Sequence, residues 1–349
     1  MSRIEIRDYH GDFEDVGDLV RRVWIPEYSG KVWFPLPDAA FFRWSIGAQE
    51  RARCLVAFEG SKLVGSVSYM LHSLRIHSSI VPVAIHTSFS VDPDHRRAAL
   101  PLIEQLRRNH RDEELELAIG LILDPRTSLS YRFWTKYAET FPDDFRLLLR
   151  GSYWAKFLEP QVIAVTGVNA WERAASRALG PLLRIVPHGR DPHVRPYRTD
   201  DLEQCSQIIE RASAAYEWVV VWSPEDLSHQ LDNPECGTLV FERDGRIRGL
   251  INYLLIWLYG RGPIRIALID IWADDQLAHR DRVRLLSHLC QVLRESGVHG
   301  VVAPRNAVPA APFLANLFVP ATDHFRIGVH IIGDMRSLTP PRIWSLPIR

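Results

Sequence analysis

Hydrophobic and polar positions change period sharply between residues 83 and 106. Val83, Ile85, Thr87, Phe89 and Val91 alternate with smaller or polar residues, the period-two pattern of a strand with two unlike faces. Asp92-Pro93-Asp94 interrupts the alternation, and Leu100, Ile103 and Leu106 then recur at helical spacing. The pattern predicts a strand passing through a short basic turn into a helix. The first turn of a helix presents unpaired N–H groups and the positive end of its dipole, which together suit a phosphate.

The same reading along the chain predicts a first strand over 4–9, an amphipathic helix over 13–23, and a hairpin over 54–69 turning at Gly60-Ser61. A strand over 115–124, a helix over 128–139, extended segments over 143–157 and a connecting helix over 169–179 follow. The order then repeats. The stretch 193–212 repeats the opening strand and helix, and the hairpin 238–253 matches 54–69 without a gap. Leu55 falls on Leu239, Gly65 on Gly249 and Tyr69 on Tyr253, while Leu102-Ile103 falls on Leu285-Leu286 one residue out of that step. Three consecutive elements in one order at nearly constant separation indicate a tandem duplication. Strands alternating with helices and hairpins place each copy in the mixed α/β class.

The segment Val91-x-Pro93-x-x-Arg96 followed by an apolar helix resembles the acyl-CoA signature of the GNAT acetyltransferase superfamily, and the hairpin–strand–helix order is that family's too. The resemblance implies two tandem GNAT-like domains, each a twisted mixed sheet flanked by helices. It spans residues 1–160, a helical linker 161–192, a degenerate second copy 193–340 and a tail 341–349. It also implies an Arg/Gln-x-x-Gly-x-Gly/Ala turn around the CoA pyrophosphate. Here that turn is Arg96, Arg97, Ala98, Ala99, Leu100 and Pro101, with both glycine positions replaced. Alanine permits close backbone approach, whereas Pro101 lacks an N–H, although proline is sterically tolerated in a first helical turn. On this reading main-chain groups near Phe89 and Val91 hold the pantetheine arm, and Arg96, Arg97, Ala98 and Ala99 the pyrophosphate. The co-substrate is acetyl-CoA or another acyl-CoA, with no metal.

Composition narrows the field without deciding it. The 349 residues suffice for two domains, with 46% hydrophobic and 24% charged content ordinary for a globular chain. Forty-two basic residues against 42 acidic ones argue against a chain-wide nucleic-acid surface. Cys54, Cys205, Cys236 and Cys290 lack paired spacing, so neither a zinc site nor a disulfide framework is indicated. No signal core and no run near the roughly 20 apolar residues of a membrane span is present. The expectation is a cytoplasmic protein with no nucleic-acid and no membrane partner, of unknown oligomeric state.

Acylating an amine requires a base, or a water relay, for the amine proton, and a proton or hydrogen bond for the departing thiolate. His86 is the readily titratable side chain on the predicted central strand, and alternation puts it beside Ala84, Ser88 and Ser90. It is either that base or a hydrogen-bonded strand histidine. The family commonly places a tyrosine in the helix after its fifth strand as thiolate partner. Trp134 stands at that position here, leaving Tyr131 and Tyr137, about one turn to either side, as substitutes or packing residues. The aromatic segment with Trp24, Glu27, Tyr28 and Trp33 lies where the family lines its acceptor pocket, with Glu27 or Asp38 able to hold an amine.

The second copy's counterpart of the phosphate turn carries Asp274-Asp275, which opposes an anion, so this copy reads as structural or substrate-shaping. Asp270 is its base otherwise. The resulting expectation is an acyltransferase moving an acetyl or acyl group from acyl-CoA to a small-molecule or peptide amine. The alternatives are a non-catalytic GNAT-like scaffold or binding module, or a tandem-GNAT transferase using an acyl-carrier-protein donor or, as Fem-type enzymes do, an aminoacyl-tRNA donor. Near-neutral charge disfavours tRNA.

Overall fold

The computed structural model describes residues 3–47, 49–123, 128–305 and 309–333. The tail expected over 341–349 lies outside them. Chain contacts divide the protein into two compact units: residues 1–150 rejoined by the stretch beginning at Phe325, and residues 151–324. The helical linker expected over 161–192 is thus part of the second unit, and the first unit takes its last strand from the chain's far end.

In the first unit, β1 (Ile4–Asp8) leads to α1 (Phe13–Tyr28), whose N-cap Asp12 accepts the Glu14 amide. β2 (Ala52–Glu59) and β3 (Lys62–Ile76) form the expected hairpin, with Gly60 at φ +62° in its turn. β3 runs on past the sequence expectation and turns at His77 into β4 (Ser79–Val91). A 3₁₀ turn (Pro93–Ala98) opens α2 (Ala99–Asp112), which places Pro101 in the first helical turn as expected. β5 (Leu117–Leu123), α3 (Leu129–Thr140, capped by Ser128) and the start of β6 (Phe145–Phe157) follow.

The second unit takes the end of β6, then α4 (Pro160–Thr166), α5 (Ala170–Leu183), β7 (Val194–Pro196), α6 (Leu202–Ser213) and α7 (Pro224–Leu231). β8 (Cys236–Arg243), β9 (Arg246–Tyr259), β10 (Pro263–Asp274), α8 (His279–Glu295), β11 (Gly300–Pro304) and α9 (Ala310–Ala315) continue it. β12 (Val319–Ile331) then supplies Phe325–Ile331 to the first unit. Strand order there is β1-β2-β3-β4-β5-β12 followed by the start of β6. In the second unit it is the end of β6, then β11-β10-β9-β8-β7.

The duplication holds at the level of single ladder pairs. Gly65 faces Val91 as Gly249 faces Asp274, and Val67 faces Phe89 as Ile251 faces Trp272. Both ladders slip at the same place: between Ser68 and Tyr69 the partner jumps from Ser88 to His86, and between Asn252 and Tyr253 from Ile271 to Ile269. Thr87 and Asp270 are the extra residues of two equivalent bulges.

Candidate active site

The bulge corrects the face assignment made from alternation. One inserted residue reverses which side of the sheet every later side chain meets. Ala84, Phe89 and Val91 therefore pack in one core with Leu102 and Leu106 of α2, and His86 points to the same side, its ring 5.2 Å from that of His110. Ser88 and Ser90, expected beside His86, lie on the opposite face, both buried.

Beyond the bulge β4 parts from β5. Their parallel pairing runs from Val83–Leu117 to His86–Gly120 and stops, although β4 continues to Val91 and β5 to Leu123. The gap is a cleft of about 650 Å³ including its open mouth. Trp24 and Tyr28 of α1 line it, with His86–Phe89, Gly120–Leu123, Ser130 and Trp134 of α3, Phe145, Gly328 and His330. Splayed parallel strands leave main-chain donors and acceptors facing the gap without a ladder partner, so a bound amide-rich chain can complete them.

His86 and His330 line the cleft, and His110 is buried behind His86. His86 Nε2 lies 3.4 Å from His110 Nε2, a contact requiring one nitrogen to carry hydrogen and the other to accept it. His86 keeps a little solvent access through the cleft, yet desolvation pulls its pKa down to about 4. Desolvation lowers His110 further, with the nearby His86 and His330 adding to it, and takes His330 to about 3. All three are neutral at physiological pH. Tyr69 meets His110 edge-on at 5.0 Å and donates to Glu113, which pairs with Arg53.

Of the candidate tyrosines, neither expected one reaches the cleft. Tyr137 is buried among Phe133, Trp134, Phe141, Phe145 and His330 and receives a hydrogen bond from Arg107. Tyr131 sits beneath the Arg326 guanidinium. The tyrosine in the cleft is Tyr28, which sequence reasoning assigned to the acceptor pocket. Its hydroxyl is hydrogen-bonded to Ser130, and burial raises its pKa to about 12. Its helical neighbour Trp24 joins it, whereas Trp33 is not among the lining residues. Glu27 and Asp38 are engaged as helix caps: Glu27 accepts the Leu129 amide at the start of α3, and Asp38 the Phe41 amide at 2.9 Å. Neither residue is among those lining the cleft.

The turn after Val91 is tighter than a glycine-rich loop. Asp92 accepts the amides of Asp94, through Oδ1 at 3.1 Å, and of His95, through its carbonyl at 2.9 Å, while Arg96 O accepts the Ala99 amide. Lys62 and Arg22 neutralise Asp92 at 3.1 and 3.6 Å, and hydrogen bonds plus opposite charge hold its pKa below the usual range. Glu59 binds His95 and Arg97. Arg96 is exposed, with no ion pair among the described residues.

The second unit has the same splay, its parallel ladder ending at Leu268–Val302, but aromatic side chains fill it. Trp272, at the ladder position of Phe89, lies 5.3 Å from Phe313, which stacks on Trp154 at 5.9 Å. Asp274 closes the turn by accepting two hydrogen bonds from Arg282 and one from the Leu277 amide. Asp270 and Asn252 both accept from Gln230, at 2.9 and 2.7 Å, a satisfied buried network.

Residues 7–120 match the family model of the GNAT acetyltransferase domain. No curated protein sequence matches the chain. Among solved structures, N-myristoyltransferase of Saccharomyces cerevisiae with bound myristoyl-CoA superimposes with a TM-score of 0.76 at 13% identity, covering 99% of this chain and 90% of that one. A GCN5-related N-acetyltransferase from Anabaena variabilis gives 0.56 at 10% identity (95% and 73% covered), and one from Kribbella flavida 0.53 at 15% (95% and 71%). Residues 7–120 thus match the GNAT acetyltransferase domain, and the chain as a whole shares the fold of these solved structures.

Proposed function

We propose that the first unit transfers an acyl group from acyl-CoA to an amine. The observation that carries this reading is the gap between β4 and β5 past the Thr87 bulge, an opening lined by His86, Tyr28 and aromatic side chains. The pantetheine arm would lie along the freed edge of β4 near Phe89 and Val91, with the diphosphate beside the exposed Arg96. Because the His95 and Ala99 amides are engaged within the turn, side-chain charge would contribute more of that grip than main-chain amides.

Attack by the amine nitrogen on the thioester carbonyl forms the C–N bond, and the C–S bond then breaks to release CoA as a thiolate. His86, neutral at physiological pH, would accept a hydrogen bond from the attacking amine or from a water relaying its proton. A histidine with so low a pKa is a weak base, so its contribution is alignment and transient acceptance rather than storage of the proton. Tyr28, held protonated, would donate to the thiolate and be reprotonated from solvent, giving an amide and CoA-SH. Yeast N-myristoyltransferase and the GCN5-related N-acetyltransferases share the fold at very different acyl lengths, so the thioesters tested run from acetyl to myristoyl.

The test is thermal-shift and calorimetric titration against CoA thioesters from acetyl to myristoyl, followed by mass spectrometry with a panel of amines. Saturable binding with an acylated product is expected. Absence of binding to any thioester leaves the fold without this activity.

A further inference from the structure

The described walls of the cleft between β4 and β5 carry no formal charge. None of the described residues lining it is an acid, a lysine or an arginine, and its ionisable side chains are Tyr28, His86 and His330. Glu27, next in sequence to Tyr28, is turned instead to the Leu129 amide. Desolvation is strong there, since it draws His86 down to about 4 and His330 to about 3. The same desolvation acts on any cation that enters.

An aliphatic amine arrives as an ammonium ion, its pKa being near that of lysine, about 10.4. To be acylated it must give up both hydration and a proton, with no carboxylate beside it among the described residues. The rings of Trp24, Trp134 and Phe145 offer a cation–π contact, which returns less than an unpaired ion loses on leaving water. An aromatic amine bears neither cost. Its lone pair is delocalised into the ring, so it is neutral at physiological pH, and its flat ring suits walls made of rings.

The second copy supplies the contrast. Thr87 and Asp270 are the extra residues of equivalent bulges, so this ladder position holds a carboxylate in one copy and a hydroxyl in the other. Thr87 lines the cleft, and its Oγ1 donates to the Ser68 carbonyl at 3.4 Å. The copy with the open cleft is the one without the charge.

We propose that the acceptor is an amine already neutral at physiological pH, an aromatic amine being the class that this ring-lined cleft fits. The inference rests on the acyl-transfer reading above and narrows its acceptor. The nitrogen lone pair attacks the thioester carbonyl with no prior deprotonation, forming the C–N bond. The C–S bond breaks, the nitrogen sheds its proton through His86 or a water to solvent, and Tyr28 protonates the thiolate, leaving an N-aryl amide and CoA-SH. A nitrogen bonded to the former thioester carbon is a far stronger acid than the free ammonium, so a base as weak as His86 is matched to it.

The isomers p-toluidine and benzylamine have one size and different basicity, and they make the test. At pH 7, p-toluidine is expected to exceed benzylamine by about tenfold or more, both in calorimetric affinity and in kcat/KM with acyl-CoA. Thr87→Asp, which installs the carboxylate of the second copy, should shift that ratio about tenfold toward benzylamine at a melt near wild type. Wild type that binds the two amines equally, or prefers benzylamine, overturns the proposal. So does a folded Thr87→Asp variant with an unchanged preference. If no thioester binds and neither amine is acylated, the acyl-transfer reading fails, and the affinities of the two amines alone still decide whether the cleft selects the neutral one.

Discussion

His86 and His110 meet nitrogen to nitrogen at 3.4 Å, one on the central strand and one on the helix behind it. Desolvation keeps both rings neutral, and in the tautomer in which His86 Nε2 donates to His110 its Nδ1 is the nitrogen free to accept. Titration of His86, followed by its imidazole resonances and assigned with His86→Gln, should show a midpoint near pH 4. A midpoint between 6 and 7 would remove the desolvated, paired state argued above. In turnover, His86→Gln should cost about a hundredfold in kcat, the ordinary scale for proton-transfer assistance.

Acid should unfold the first unit through the same cluster. Desolvation holds the folded pKa of all three histidines below the ordinary 6.5. Between that value and the folded ones the unfolded chain binds more protons, so their stabilisation is complete above about pH 6.5 and is lost as pH falls toward 4. Each histidine steepens the loss by at most about 1.4 kcal/mol per pH unit. Urea midpoints measured from pH 7.5 to 4.5 should fall, and His330→Phe should flatten the slope. A pH-independent midpoint contradicts this account.

In the proposed mechanism Tyr28, which lines the cleft, donates to the thiolate. Tyr28→Phe should lower kcat by roughly tenfold or more while acyl-CoA affinity holds within about a factor of three. Tyr131→Phe should leave turnover unchanged. Tyr137→Phe, which loses its bond from Arg107, should cost about 1 kcal/mol of stability rather than activity. Equal kinetic losses in all three would deny Tyr28 its special position.

Arg96 and Arg97 are adjacent in sequence but differently committed. Arg97 is held by Glu59 and Arg96 is not. Calorimetry with CoA should show Arg96→Ala weakening binding by about tenfold, on the scale of one charge-assisted contact. Affinity for pantetheine, which lacks the diphosphate, should be unaffected. Loss of both affinities in parallel would point to a folding defect instead.

The second unit's aromatic plug is a stability element. Phe313→Ala should cost about 3–5 kcal/mol in urea unfolding, since it empties a site between Trp154, Trp272 and Phe318. A cost under about 1 kcal/mol would mean the plug is loosely packed.

The order of elements and the duplication were written in the sequence, because both rest on local period and spacing. The hairpin with its positive-φ Gly60, the strand–turn–helix around Pro93 and the one-residue slip between the two copies each leave a mark within a few residues. The cleft could be placed near Phe89 on that basis alone. What tertiary structure decided was which side chains share it. The Thr87 bulge reversed the faces, taking Ser88 and Ser90 away from His86 and bringing His110 to it from 24 residues onward. No period reveals a bulge when polar and apolar residues alternate on both sides of it. Similarly, Tyr28 lines the gap and Tyr131 and Tyr137 do not, because α1 reaches it from a distant part of the chain, while α3 turns Trp134 into it. Periodicity records how a segment meets its nearest turn or strand, and a site is made where segments far apart converge.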